Sequence, residues 1–547
     1  MIIRAIPARL LAGIAAVSLM GSACTTTTSA QDRPAATAAP AAATALPQRP
    51  NIIFILVDDL PIDNFGADNP SLHTPNLDRL INEGMYIPRA AVTTSLCSPS
   101  RATILTGMST RNHGIVDNQH SDEAGLTFFP SYLQQAGYQT AFFGKWHMGN
   151  VGDQPRPGFD HWVSFDGQGS YLPMGDFNQN QQQVLNVDGQ HVNRTDYITD
   201  ELTRYQMDWL EHRDPNKPFF LYMSHKAVHG PCIPAERYAH QYDGVNTMEL
   251  PDSFAFTPEN IAGKPMWVVN QRNSWHGIDI RHASGPQSLI NERRDCDAVL
   301  SSVDDSVGRT LDWLESTGLD RNTIVVFFSD NGSMWGAHGL TDKRNAYEES
   351  VRVPMIAWGP GIPRGVRSEA RIRNLDLAPT FLALAGITTR PEQFEGDNVV
   401  PLLTGQTRWA DWRQDDFVYE YYWEWAFPMT PTTFSIVSGD YKYIWYHGVW
   451  DRNELYNLAD DPHEMRNLIN APELAALRTR LRHDLFERLR SNAGDHRVPY
   501  SEVENRGFVF RNAEGTPPAD FPDELELPPP ADGDFQFFPM LQRSTGQ

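Results

Sequence analysis

The sequence predicts an α/β fold, with a large sheet sandwiched by helices and a smaller antiparallel subdomain after it. Three observations predict this. Residues 51–57, 139–143, 219–224, 323–329 and 353–358 are near-continuous apolar runs, the pattern of strands covered on both faces. Stretches with helical periodicity separate them. Beyond about residue 405 the chain turns to short aromatic and β-branched runs joined by a hairpin signal.

The 547 residues are 40% hydrophobic and 21% charged, a globular composition with room for a large domain and a smaller one. The formal net charge of −23 argues against nonspecific binding to nucleic acid or to an anionic membrane. An anionic substrate would need a locally positive site, built from a bound cation or from clustered Lys and Arg. Arg4 and Arg9 precede an apolar run over 10–20 that reads as an export signal and is too short to span a bilayer. Gly21-Ser22-Ala23-Cys24 is similar to a bacterial lipoprotein processing site with Cys24 acylated; cleavage after Ala30 is the alternative. The expected organisation is a signal peptide over 1–24, a flexible linker over 25–50 and a large domain over 51–405. A C-terminal α+β subdomain over 406–511 and a Pro-rich acidic tail over 512–547 follow. The expected location is the periplasm or the outer membrane. Cys232 and Cys296 are expected as two buried free thiols, with pairing as the alternative.

Taken in order, the first strand ends in Asp58-Asp59. Open α/β sheets hold ligands at such strand ends. Two adjacent carboxylates suit a cation or a solvated turn. Thr74 and Pro75 start a helix with Leu77, Leu80 and Ile81 as its apolar stripe. Ser98 is expected as N-cap and Pro99 as first residue of a helix stopped by Gly107. Cys97 then lies at the positive end of a helix dipole with Arg101 one turn on. That is an anion-handling site, or a small apolar cysteine beside an ordinary helix. His113 is assigned to a turn, in a structural role. A helix over 129–136 stops at Gly137.

The second strand leads into Gly144-Lys145-Trp146-His147, and alternation puts Lys145 and His147 on one side if the chain stays extended. Residues 158–200, rich in Gly, Asn and Gln with interspersed aromatics, are expected as a long loop region at the site. A helix over 198–212 precedes the third strand, which ends in His225-Lys226-Ala227-Val228-His229. Residues 245–285 show few regular patterns. A helix over 288–316 carries Val299, Val303, Val307, Leu311 and Leu314 on one side. The fourth strand ends in Asp330-Asn331-Gly332, mirroring Asp58-Asp59 and offering hard oxygen ligands. His338, Lys343 and Arg344 follow. After the fifth strand and a helix to about 385, strands are expected near 417–422, 434–437, 441–445 and 455–458, then a helix over 472–491.

Cys97-Ser98-Pro99-Ser100-Arg101 with Leu105-Thr106-Gly107 resembles the signature of the type I sulfatases, and Gly144-Lys145-Trp146-His147 resembles another segment of that family. The resemblance implies an alkaline phosphatase-like fold with a large mixed sheet. It implies that Cys97 is oxidised to formylglycine by a formylglycine-generating enzyme. It further implies that Asp58, Asp59, Asp330 and Asn331 hold a Ca²⁺ that also contacts residue 97. Spacing does not separate Ca²⁺ from Mg²⁺, while an all-oxygen ligand set disfavours zinc. By the same resemblance Lys145, His229 and Lys343 bind the sulfate ester, and Arg101 assists the modified residue 97. His147 and His229 move protons, and His338 is a supporting or substrate-side residue. Residues 158–162 and 186–189 resemble carbohydrate sulfatases, including those acting on N-acetylglucosamine 6-sulfate, so a sulfated saccharide is the expected substrate. The alternatives are a phosphonate or phosphate ester hydrolase of the same fold, and a glycan-binding relative without turnover.

Overall fold

Ile52, Phe54 and Leu56 of the first strand point into one core, and Ile53, Ile55 and Val57 into another. This is the period-two alternation of a strand with helices on both sides. The computed structural model describes residues 45–491 apart from 120, 150–151, 178–179, 413–415, 425–426 and 449–450. The expected signal peptide, Cys24, most of the linker and the tail lie outside the described residues.

The strands are β1 (Asn51–Val57), β2 (Met85–Ala91), β3 (Gln139–Lys145), β4 (His161–Phe165), β5 (Val184–Val187), β6 (Gln190–Asn193), β7 (Phe219–Ser224), β8 (Thr323–Ser329), β9 (Arg352–Trp358) and β10 (Val366–Arg367). They form one mixed sheet in the order β10-β2-β9-β8-β1-β7-β3-β4-β5-β6. Its centre, β8-β1-β7-β3-β4, is parallel, so five strands deliver their carboxyl ends to one edge. The helices Cys97–Thr106 and Leu377–Leu384 cover one face, and Pro75–Glu83, Ile198–His212 and Pro286–Thr317 cover the other. Each fully buried aliphatic side chain here stabilises the fold by about 1.5–3 kcal/mol.

A second sheet, β11 (Phe417–Tyr421), β12 (Thr433–Ser438), β13 (Tyr441–Tyr446) and β14 (Glu454–Asn457), is antiparallel throughout. Phe434, Ile436, Tyr443 and Trp445 pack on Leu481, Leu485 and Leu489 of the helix Ala475–Ser491. Its other face, with Tyr419, Tyr421 and Tyr446, packs on Leu96, Trp267 and Tyr347 of the large domain.

Several expectations need correcting. β2 has no clear sequence signal because Pro88 and Arg89 interrupt its apolar run; a register shift between Ile87 and Ala90 accommodates the proline. The region 158–200 is not wholly loop: β4, β5 and β6 extend the sheet, and Asp188-Gly189, both at positive φ, close a tight hairpin. Residues 245–285 contain short helices at Pro258–Ile261, Met266–Gln271 and Ile278–Arg281. Cys97 itself is the first helical residue, with Leu96 as the extended N-cap. Ser98 does not cap: its hydroxyl donates to the His147 carbonyl (2.9 Å) and accepts from Gly149 N (3.0 Å).

Cys232 and Cys296 are a disulfide, not two free thiols. The fold brings the loop after β7 against the helix Pro286–Thr317, a proximity that residues 64 apart in sequence do not announce. Closing that loop is worth on the order of 4 kcal/mol in the chain-entropy account.

Two predictions follow from packing alone. Gly144, at φ +115°, is followed directly by Lys145, and a Cβ there would sit 1.8 Å from Ser224 O on the neighbouring strand. Gly144→Ala should therefore cost more than about 4 kcal/mol, or prevent folding, as a steric clash in a core strand; urea denaturation measures it. His113 is buried, with Nδ1 accepting from Ile115 N (3.0 Å), and burial holds its pKa down at about 3. The unfolded chain binds this proton below about pH 6.5 and the folded chain does not. Stability should fall as pH drops from 6.5 towards 3, and His113→Gln should flatten part of that slope in melting curves.

Candidate active site

The parallel register assembles the site. Val57 of β1 lies opposite Ser329 of β8, so the next residues, Asp58-Asp59 and Asp330-Asn331, emerge side by side. Asp59 N donates to Asp330 Oδ1 (3.1 Å). Asp59 takes a left-handed conformation (φ 61°), which breaks strand alternation and turns its carboxylate to the same spot as Asp58. On the other side of β1, Leu56 pairs with Ser224 of β7. The chain beyond is stitched back by Val228 N to Asp58 O (2.7 Å) and Asp58 N to Ala227 O (2.8 Å), bringing His229 in. β3 pairs with β7 and ends at Lys145.

One carboxylate oxygen from each of Asp58, Asp59 and Asp330 lies within 4.8 Å of the others. Burial and the neighbouring Asp58 push the Asp330 carboxyl up to about 7. Asn331 Oδ1 is buried beside them with no hydrogen-bond partner. Crowded carboxylates with an orphaned amide oxygen fit a hard cation of the Ca²⁺ or Mg²⁺ type, and the all-oxygen set does not suit zinc.

Cys97 is wholly buried at the head of its helix, 3.6 Å from Asp58 Oδ1 and 3.4 Å from Lys343 Nζ. Burial pushes its thiol up to about 12, so it is not a thiolate nucleophile at neutral pH. Lys145 Nζ bonds Asp58 and, at 2.5 Å, Gln168 Oε1. Lys343 Nζ bonds Asp59. Burial opposes the charge on Lys343, but Asp59 and Cys97 beside it hold its pKa well above the ordinary value. His229 Nε2 is 3.9 Å from Asp59 Oδ2, and Nδ1 lies 2.6 Å from Gly230 O. Burial, Lys145 and Lys343 hold His229 well below its usual pKa, and burial, Lys145 and Arg101 do the same for His147. β3 stops at Lys145 and His147 has φ 48°, so the expected alternation of the two is broken; both still face the same charges.

Arg101 sits where the chain predicts but is occupied differently. Its Nε donates to Asp330 (2.9 Å), and Nη1 donates to Lys145 O and Ser224 Oγ (2.8 Å each). Nη2 is 3.5 Å from Asp58. One buried guanidinium thus crosslinks the ends of β1, β3, β7 and β8. His338 does not line the cleft: it is buried against Tyr347, with ring centroids 4.3 Å apart.

Above this floor lies a cleft of about 440 Å³ whose lining includes Asp59, His229 and Lys343, with Asn118, Trp275 and Phe427 around them. Gln168 falls in the amide-rich stretch already expected at the site. Asn118, Trp275 and Phe427 carry no motif, and only the folding of distant loops selects them.

Positive charge held over a nest of carboxylates, at the carboxyl edge of a parallel sheet, serves a bound anion; the fold and site together define a hydrolase of anionic esters. More narrowly, the chain belongs to the sulfatase family and is a sulfuric ester hydrolase: the Sulfatase family matches over residues 50–387, and the N-sulphoglucosamine sulphohydrolase C-terminal family over 336–491. It is 33% identical over 483 residues to the N-acetylglucosamine-6-O-sulfatase of Bacteroides thetaiotaomicron, covering 78% of this chain and 84% of that one. It is 31% identical over 422 residues to N-acetylglucosamine-6-sulfatase of Homo sapiens, covering 72% and 71%. Among solved structures, that of BT4656 in complex with its substrate D-glucosamine-2-N,6-O-disulfate aligns with a TM-score of 0.69 at 31% identity, covering 82% of this chain and 99% of that one.

Proposed function

We propose that this sulfatase removes sulfate from a sulfated amino sugar, using a formylglycine made from Cys97 beside a bound Ca²⁺. The observation that carries the proposal is the placement of Cys97: buried at a helix N-terminus, in contact with Lys343 and next to Asp58 of the carboxylate nest. Asp58, Asp59, Asp330 and Asn331 would hold the cation, which when bound supplies fixed positive charge against the sulfate oxygens. The hydrated aldehyde would supply two geminal hydroxyls, one to attack sulfur and one whose deprotonation releases sulfate.

The chain's own residues divide the remaining work. Lys145 and Lys343 orient the sulfonyl oxygens and offset their charge. Gln168, bonded to Lys145 Nζ, aims the first of these. Arg101 keeps the four strand ends in register. His147 accepts the proton from residue 97. His229 protonates the departing alcohol, with the charged Lys343 beside it. In the free site burial, Lys145 and Lys343 disfavour the charged form of His229. The anionic ester offsets Lys145 and Lys343, which favours protonation of His229 when substrate is present.

The amino-sugar reading is supported by the names of the relatives and by a cleft lined with amides and aromatics, surfaces that suit a pyranose. The Cys232–Cys296 disulfide favours an oxidising compartment, in keeping with the export signal. Among the described residues no helix is long and apolar enough to cross a membrane.

The test is release of sulfate from defined substrates: glucosamine and N-acetylglucosamine 6-sulfates, galactose sulfates, sulfated oligosaccharides, phosphate diesters and phosphonates. Turnover of a glucosamine 6-sulfate above the rest is the expected result. Faster cleavage of a phosphonate than of any sulfated sugar would overturn the proposal. His229→Ala should lower kcat by about 10²–10⁴ on a sugar sulfate, whose alkoxide leaves poorly, and far less on a nitrophenyl sulfate, whose phenolate leaves unaided. Equal losses on the two would remove His229 from the proton-donor role.

A further inference from the structure

We infer that the Cys232–Cys296 disulfide is a positioning device for His229, and so governs proton delivery to the departing alcohol; this rests on the reading of His229 as proton donor.

His229 is held by its backbone more than by its side chain. The imidazole is about one-fifth exposed; Nδ1 faces the adjacent Gly230 O, Nε2 is 3.9 Å from Asp59, and one ring nitrogen lies within 4.8 Å of Asp58 and of Cys97. Where Nε2 points is therefore set by the path of the chain through residues 228–233. That path is pinned before His229 by the Val228–Asp58 backbone bond (2.7 Å). At His229 itself, Tyr171 Oη donates to the carbonyl (2.8 Å). Three residues later comes the disulfide, and after it Tyr197 Oη donates to Ile233 O (2.9 Å).

The far end of the disulfide is the rigid part. Cys296 lies in the 32-residue helix Pro286–Thr317, locked into the core through Val299, Val303, Val307 and Leu311. It also forms part of the wall of the catalytic cleft, with Leu289 and Glu292 of the same helix. The covalent link thus ties the chain after His229 to a helix packed into the core on that face. A bond serving stability alone could sit anywhere on the surface. This one closes the loop that carries a catalytic side chain, against a residue lining the same cleft.

A small shift of a proton donor costs far more than a small shift of a packing group, because proton transfer needs hydrogen-bond geometry in the transition state. Loosening the turn should leave sulfate binding by Lys145 and Lys343 intact, since Lys145 ends β3 and Lys343 lies on the segment between β8 and β9. The signature is a selective loss on substrates that need the proton.

The experiment uses the full chain with residue 97 converted, comparing wild type, Cys232→Ala/Cys296→Ala, Tyr171→Phe and His229→Ala. Each is assayed on a sugar sulfate and on a nitrophenyl sulfate. The disulfide variant should lose about 10–100-fold in kcat on the sugar ester with KM little changed, and less than about threefold on the aryl ester. Tyr171→Phe, which keeps the ring and removes only the bond to His229 O, should show the same selectivity with a smaller loss. The aryl activity reports that the site is folded, and Tyr171→Phe carries the test if the double variant does not fold. Equal losses on both esters, or no loss on the sugar ester, would overturn the inference. If His229→Ala itself shows no selectivity, it is the proton-donor reading that fails.

Discussion

Cys97→Ser is expected to abolish multiple turnover, lowering kcat by at least about four orders of magnitude. The variant keeps an oxygen at the right place and is nearly isosteric, so the cation nest and the helix start should survive. A serine hydroxyl can attack sulfur once, but it has no second geminal hydroxyl whose deprotonation would expel sulfate. Burial also disfavours the thiolate of an unmodified Cys97. The expected measurement is therefore twofold. Steady-state release of sulfate vanishes, and the intact mass of the variant, after incubation with substrate, shows one added sulfo group. Sustained turnover by Cys97→Ser would end the formylglycine mechanism. Mass analysis of the peptide containing residue 97, from the native host, should show the loss of sulfur that conversion to an aldehyde entails.

Removal of the cation should have the second largest effect. Asp58, Asp59 and Asp330 bring carboxylate oxygens within 4.8 Å of one another, with Lys145 and Lys343 each bonded to one of them. Without a cation to offset them, these carboxylates would repel an anionic ester. Exhaustive chelation should lower activity by at least about 100-fold, and Ca²⁺ should restore it better than Zn²⁺, given the oxygen-only ligands. A cation that binds only the folded chain stabilises it by about 2.7 kcal/mol at a hundredfold excess over Kd. The melting temperature should therefore drop on chelation and recover with Ca²⁺. Full activity in protein shown by elemental analysis to be metal-free would refute the site.

Much of this architecture was legible in the chain. The apolar runs that became β1, β3, β7, β8 and β9 are strong signals, because a strand buried on both faces tolerates almost no polar residue. Their polar ends, Asp58-Asp59, Lys145, His229 and Asp330-Asn331, stand out for the same reason. β2 escaped because Pro88 and Arg89 break the pattern, and a bulge is a tertiary accommodation with no local signature. The local sequence around Ser98 suits a helix cap. In the fold its hydroxyl serves the His147 carbonyl instead. His338, a supporting or substrate-side residue by the family resemblance, lies outside the cleft lining and packs against Tyr347.

The sequence by itself determined which residues could do the chemistry: a cysteine at a helix head, hard oxygens and charged groups at strand ends. Only the tertiary structure decided who touches whom. Arg101 reaches Asp330, 229 positions away, and Cys232 bonds Cys296 across 64 residues. The physical reason is that strand order and register in a parallel sheet are long-range choices. They are made by the packing of both faces at once, and no local run of residues encodes them.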